Sequence, residues 1–458
     1  VGLLRFRERP VRTSVTQTVQ ESPDTHTQTH DGPPAPVLEG ARPGKGTAGL
    51  AFIFVTLLLD SLGIGLIIPV LPKLLGGFLH SEDAVAKFYG VFIALYAAMQ
   101  FLFAPVFGAL SDRFGRRPVL LAALLGAGFD YGLQALAPSI GWLLVGRVVA
   151  GITGASQTTA SAYIADVTPP EKRGQSFGLI GAAFGLGFIL GPALGGLLGA
   201  VSVRAPFWAA AGLSLANAAY GLLVLPESLP ASERRPVEWK RANPVGSLLR
   251  IGRYPVIFGL LGTFLCQGLA QQVPPSTWVL FCERRFGWGE REMGFSLSYL
   301  GVLIALVQGF GTRIAIPMLG ERGAAVAGFV LCALGFLLFG FATEGWMMYA
   351  VTIPFALSGV GGPALQGIIS KQVGPSEQGE LQGALTSVVS LTAVVGPIIA
   401  SQLFAYFTGP RAPFPLPGVA FFWGAALMLL GLLLGARFLL AGGGREEPAA
   451  AVPVAAEG

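Results

Sequence analysis

Three ionisable side chains lie deep within apolar stretches of this sequence: Asp60 within 48–70, Asp130 within 118–138 and Arg147 within 141–163. Stretches of about 20 residues are long enough to cross roughly 30 Å of hydrocarbon. An ionised group at such depth costs on the order of 3 kcal/mol on insertion scales, so the three must face a wet cavity or one another. Loss of hydration favours the neutral form of a carboxyl group, and a nearby guanidinium favours the charged form. Asp60 and Asp130 are therefore candidate proton carriers and Arg147 the group that tunes them. A fixed structural ion pair is the alternative for Asp130 and Arg147. Asp166 is ambiguous, because it lies at the end of its stretch, where water reaches.

The elements that must position these groups follow from composition. Of 458 residues only 12% are charged, against roughly 25% in a soluble protein, and 53% are hydrophobic, with mean hydropathy +0.65. Apolar blocks at 48–70, 88–110, 118–138, 141–163, 174–200, 205–225, 255–281, 293–316, 323–342, 345–370, 380–407 and 418–440 predict an all-α membrane protein with twelve transmembrane helices. The expected organisation is a polar N-terminal tail at 1–46, a six-helix half at 47–226, a linker at 227–254, a second six-helix half at 255–440 and a C-terminal tail at 441–458. Two parallel halves are supported by an internal repeat at an offset of about 205 residues. Gly115 and Arg117 map onto Gly320 and Arg322, Gly191 and Pro192 onto Gly396 and Pro397, and the run from Pro170 onto the run from Pro375. A substrate path between rocking halves is what such a repeat allows; a duplicated scaffold without transport is the bland reading.

Loops after even-numbered spans carry 14 Lys and Arg and loops after odd-numbered spans 7, which places both termini and the linker in the cytoplasm. The tail at 1–46 is too poor in apolar residues to fold alone. Val1 precedes a first methionine at Met99, so it is read either as a non-Met start or as an over-extended frame, and no signal peptide is expected. The net charge of +5 is distributed over loops, which argues for topology and against nucleic acid. Cys266, Cys282 and Cys332 lack disulfide or zinc spacing, and His26, His30 and His80 fall outside the spans. No cofactor and no metal is expected. Gly44 to Thr47 lacks the spacing of a nucleotide loop, and no nucleophile and His pair argues for an enzyme.

Two further patterns carry candidate gating residues. The loop from Gly108 to Pro118 combines glycines with Asp112, Arg113, Arg116 and Arg117, charges able to pair and re-pair as halves move, or else simply a basic anchor. Gly187, Gly191, Gly195 and Gly199 recur every four residues beside Pro192, giving close helix packing, a gate, or both. The second half is chemically different. Its polar side chains, among them Gln271, Gln272, Thr277 and Gln308, suit a pocket for a polar, multi-ring molecule. Trp278 either lines that pocket or anchors an interface.

These motifs resemble the major facilitator superfamily, and more narrowly the tetracycline-efflux family of proton antiporters, from about residue 50 to 435. The residues that carry the resemblance include Leu59 to Pro72, Ser111 to Pro118, Asp130 and Tyr131, Gly146 and Arg147 with Gly151 to Ala155, Ile164 to Asp166, Gly187 to Gly196, Thr277 to Phe281, Arg285 to Trp288, Gly294 to Leu297, Pro363 to Gly367 and Leu381 to Gly383. The resemblance implies that Asp112 and Arg116 control a cytoplasmic gate, that Asp60, Asp130 and Arg147 couple protons, and that Gln308 contacts substrate. Ile304 and Cys332 stand where that family carries an eighth-span His and a ninth-span Asp, and neither can do the same proton or cation chemistry. The expectation is thus a monomeric proton-coupled exporter of small drug-like molecules in the inner membrane of a bacterium. An uncoupled facilitator and a non-transporting sensor are the alternatives.

Overall fold

The computed structural model describes residues 43–154, 156–169, 173–234, 258–372, 378–410 and 412–439. Most of the expected tail at 1–46, the linker beyond 234, the tail at 441–458 and the repeat residues at 170–172 and 375–377 lie outside them. Helices α1 (Pro43–Ile67), α2 (Leu71–Gly76), α3 (Glu82–Phe114), α4 (Arg116–Leu136), α5 (Ile140–Gly154), α6 (Ser156–Val167), α7 (Arg173–Val201) and α8 (Ala205–Val224) form a first set. A second set comprises α9 (Phe258–Gln271), α10 (Val273–Phe286), α11 (Glu290–Leu306), α12 (Thr312–Phe341), α13 (Gly345–Leu357), α14 (Gly361–Ser370), α15 (Gln378–Thr408) and α16 (Val419–Leu439). No strand occurs among the described residues.

Among the described residues nine helical stretches are long and apolar enough to cross a membrane. Fewer stretches are found than the twelve spans expected, in part because Glu290–Phe341 joins two expected spans in one stretch and because α9 and α10, at 14 residues each, fall short of that length. Glu290–Phe341 runs 52 residues but turns at Gly320, with φ 68°. Between α11 and α12, Val307–Gly311 forms a π-helix containing Gly309 and Gly311. Pro274 and Pro275 follow the break between α9 and α10, and a 3₁₀ turn at Ser358–Val360 separates α13 from α14.

The two sets meet along α3 with α15 and along α7 with α11. At each seam a glycine faces a proline carbonyl. Gly90 lies against the Pro397 carbonyl and Ser401, and Gly294 against the Pro192 carbonyl, so close that a Cβ at either would overlap backbone. The glycine run of α7 splits its duties. Gly187, Gly191 and Gly195 pack on Ser61, Gly65 and Leu66 of α1, as does the ring of Pro192 on Gly65, whereas the Pro192 carbonyl and Gly196 face α11. Ser298 Oγ donates to the Ile189 carbonyl at 2.6 Å and Tyr89 Oη to the Pro275 carbonyl at 3.2 Å. These contacts gather at the end of the bundle that carries the α2–α3 and α10–α11 connections. Toward the opposite end, α3 buries no residue from Leu95 to Leu110, and none is buried from Gln308 to Gly323.

Gly115, between α3 and α4, has φ 102° and ψ 159°, matching Gly320 with φ 68° and ψ 166° at the offset of 205. A side chain at such φ costs about 1–2 kcal/mol. At Gly115 a Cβ would also overlap the Glu227 carboxylate. Gly115→Ala is expected to lower the thermal unfolding midpoint of the detergent-solubilised protein; an unchanged midpoint would show that the turn relaxes without cost.

Candidate functional site

Asp60 of α1, Asp130 of α4 and Arg147 of α5, predicted from three separate stretches, line one cavity of about 200 Å³. Its walls are largely apolar, with Leu57, Ile64, Leu124 and Phe184, and its polar edge includes Tyr96, Gln100 and Gln157. Asp60 is half-buried, while Asp130 is 1% and Arg147 8% exposed. Arg147 and Asp130 do not form a direct ion pair. Gln134 stands between them, its Nε2 donating to Asp130 Oδ2 at 2.7 Å and its Oε1 accepting from Arg147 Nη2 at 3.0 Å. Asp130 Oδ1 and Arg147 Nε have no protein hydrogen-bond partner. The Arg147 guanidinium lies 4.3 Å from the centre of the Phe92 ring and 5.8 Å from that of Tyr96. Gln134 was not singled out in the sequence, although its position four residues after Asp130 puts both on one helix face.

Among the described residues, the loop after α3 is held by partners before 235. Arg116 pairs with Asp112 at 2.6 Å and with Asp166 at 3.1 Å, and its Nη1 donates to Ser111 Oγ at 2.6 Å. The Glu227 carboxylate accepts from the backbone N–H of Arg116 at 2.8 Å and of Arg117 at 3.3 Å, so it caps the free N–H groups that begin α4. Arg117 Nη2 donates to the Leu222 carbonyl at 2.7 Å. Arg113 is exposed, its guanidinium 5.2 Å from the centre of the Phe114 ring. The pair has a counterpart with its charges exchanged. At the same offset of 205, Glu321 replaces Arg116 and Lys371 replaces Asp166, and the two lie 2.9 Å apart.

A second cavity, of about 380 Å³, is lined by Gln267, Gln271, Gln272, Gln308 and Gln366, together with Phe264, Ile304 and Phe355. Gln308 is presented by the π-helix, whose extra residue turns it outward. Thr277 and Trp278, expected in that pocket, lie elsewhere in this arrangement. Neither lines a described cavity, because both are buried with their polar atoms occupied: Thr277 Oγ1 donates to the Val273 carbonyl at 2.8 Å, and Trp278 Nε1 to Ser296 Oγ at 3.1 Å. Ile304 does line the glutamine cavity, whereas Cys332 is buried in the core with its thiol beside Ser358.

The profile of the Major Facilitator Superfamily matches residues 53–362. The chain is 47% identical over 386 residues to the class C tetracycline resistance protein of Escherichia coli, covering 84% of this chain and 96% of that one. It is 44% identical over 352 residues to the class E protein of Escherichia coli, covering 77% and 86%. The chain belongs to the major facilitator superfamily. Among solved structures, the human organic anion transporter MFSD10 superposes with a TM-score of 0.63 at 25% identity, covering 85% of this chain and 99% of that one. This facilitator is accordingly a multi-pass membrane protein.

At the end where its two sets meet, the facilitator carries charges that the sequence left unassigned. Lys73 pairs with Glu290 at 2.5 Å and Arg284 with Glu82, both across the two sets. Lys73, Glu82 and Arg284 line a cavity of about 580 Å³ that also includes His80, Glu283 and Phe404. The capping bond from the Gly289 N–H to Glu292 Oε2, 3.1 Å, starts α11, whose first residue is Glu290. Glu283 reaches solvent on one side, yet crowding removes part of its hydration. That loss, with the like charges of Glu290 and Glu82, holds its carboxyl above the usual range, and Lys73 offsets part of the rise. A carboxyl raised in the closed arrangement favours closure when protonated, and the gain fades as pH rises through the raised range. Spin labels on Leu79→Cys and Tyr406→Cys are expected to populate their short distance more at about pH 5 than at about pH 8. Glu283→Gln is expected to keep that population at the higher pH, and an unaltered pH response in this variant would remove Glu283 from the closure.

Proposed function

We propose that this protein exports tetracycline, or a polar multi-ring compound like it, across the bacterial inner membrane in exchange for protons. The observation that carries this reading is the convergence of Asp60, Asp130 and Arg147 on one cavity, in a chain 47% identical to a tetracycline resistance protein. Asp60 and Asp130 carry the protons, and Arg147 is the cationic partner that tunes them. Gln271, Gln272 and Gln308 bind substrate through amide groups that both donate and accept.

Twelve spans in two sets of six form the bundle, the halves being 47–226 and 255–440. The matching turns at Gly115 and Gly320 and the two glycine and proline seams support that repeat. With the basic loops on the cytoplasmic side, the Gly115 end faces the cytoplasm and the closed seam faces outward. The arrangement is then the inward-facing one, in monomeric form with both termini in the cytoplasm. Asp112, Arg113, Arg116 and Arg117 form the cytoplasmic gate, and Gly191 and Pro192 the pivot at the outer seam. Protonation from outside favours this state, and release to the cytoplasm prepares the glutamine cavity for loading.

Ile304 favours a second substrate class, because an apolar side chain now stands in the glutamine cavity. Everted vesicles with an acid interior and a pH-gradient dye distinguish the two. Tetracycline with magnesium is expected to release protons, and Asp60→Asn or Asp130→Asn to abolish release while sparing protein level. A response to another compound alone would keep exchange and reassign substrate; release unchanged in both variants would overturn proton coupling by these acids.

A further inference from the structure

We propose that Gln134 is a positioning residue that carries the protonation state of Asp130 to Arg147 through its side-chain amide, without exchanging a proton itself. The inference rests on the reading of Asp130 as a proton carrier and adds a residue that reading lacks.

Gln134 is fully buried, and its amide spans the carboxyl and the guanidinium. Its orientation is dictated by chemistry. A carboxylate only accepts and a guanidinium only donates, so the amide nitrogen must face Asp130 and the amide oxygen Arg147. The side chain has little freedom to turn away. Gly146 of α5 lies so close that a Cβ there would overlap Gln134 Cγ and Asp130 Oδ1. A direct ion pair would bind Asp130 in its charged form, and an apolar spacer would leave two buried charges unsolvated. The interposed amide avoids both while keeping the groups connected.

Protonation of Asp130 changes what the amide can do. The bond from Nε2 loses its charge assistance, and the new carboxyl O–H competes with Arg147 for Oε1. In either case the hold on Arg147 weakens. Arg147 stacks on Phe92 of α3, close in sequence to Tyr89 and Gly90, which contact α10 and α15 across the seam. The amide thus sits between the titrating group and the helix that closes against the second set.

Other groups face this cluster. Tyr89 and Tyr96 come from α3 and Tyr131 from α4, all within electrostatic reach of Arg147, and Asp60 of α1 lies within reach of Tyr96 and Tyr131. Packed on the far side of α4, α8 presents Leu215 at Gly128. Asp166 and Tyr163 of α6 are engaged at the Gly115 end, with Arg116 and with the Pro226 carbonyl.

Difference infrared spectroscopy of the purified protein, titrated with acid, tests this without a substrate. A protonated-carboxyl band that is absent in Asp130→Asn is expected. In Gln134→Glu, which keeps the shape but places a negative charge beside Asp130 and an ion-pair partner beside Arg147, its midpoint is expected to move alkaline by about one pH unit. Gln134→Met, which removes both bonds, is expected to shift the band frequency and the midpoint. Thermal unfolding of each variant checks folding, and Gln134→Glu alone suffices if Gln134→Met does not fold. A band present in the wild type, lost in Asp130→Asn and unmoved in midpoint by Gln134→Glu would overturn the role of Gln134 and leave Asp130 as the carrier. A spectrum with no titrating band lost in Asp130→Asn would overturn the reading of Asp130, and this inference with it.

Discussion

Hydrocarbon offers no hydrogen-bond partner, so a charge placed inside the bundle must face another part of the chain or a shared cavity. That constraint explains why Asp60, Asp130 and Arg147 share a cavity although 87 residues separate the first from the last. It also explains why the neighbours are amides and aromatic rings. An amide satisfies a carboxylate at one end and a guanidinium at the other, and a ring face receives the flat cation without needing water. The surrounding apolar wall then keeps competing solvent from the bridge.

Close helix approach is the second requirement. The same α7 helix sends Gly187, Gly191 and Gly195 against α1 and, a fraction of a turn away, the Pro192 carbonyl and Gly196 against α11. Packing within the first set and contact between the sets are therefore made by neighbouring faces of one helix. The proline cannot donate to the carbonyl one turn earlier, which leaves α7 able to bend where the sets meet. Gly90 and Pro397 repeat this arrangement at the other seam. Bulky side chains in these rows would hold the sets apart at the end where Lys73 and Glu290 now pair.

The repeat preserves backbone more faithfully than charge. Gly115 and Gly320 keep the left-handed turn, yet Arg116 and Asp166 become Glu321 and Lys371. An ion pair tethers two helices equally well with its charges exchanged, since the Coulomb attraction depends only on opposite sign. A turn has no such freedom, because a Cβ is penalised at that φ whatever the side chain.

From sequence alone the apolar blocks, the ionisable residues within them and the glycine rows were legible, because each is a local pattern of transfer free energy or steric size. Asp60, Asp130 and Arg147 stood out for the cost of burying charge, and Gln271, Gln272 and Gln308 for being polar within apolar runs. Thr277 and Trp278 carried the same signal but were turned into the core by the packing of α10, a direction that sequence spacing leaves free. Only the tertiary structure decided that Gln134 intervenes between Asp130 and Arg147, that Glu227 caps α4, and that Lys73 and Arg284 reach carboxylates on the opposite set. Those partners are up to 217 residues apart, as Lys73 is from Glu290. Which residues meet across such a separation is determined by how the helices stack, and composition and local period carry no record of that.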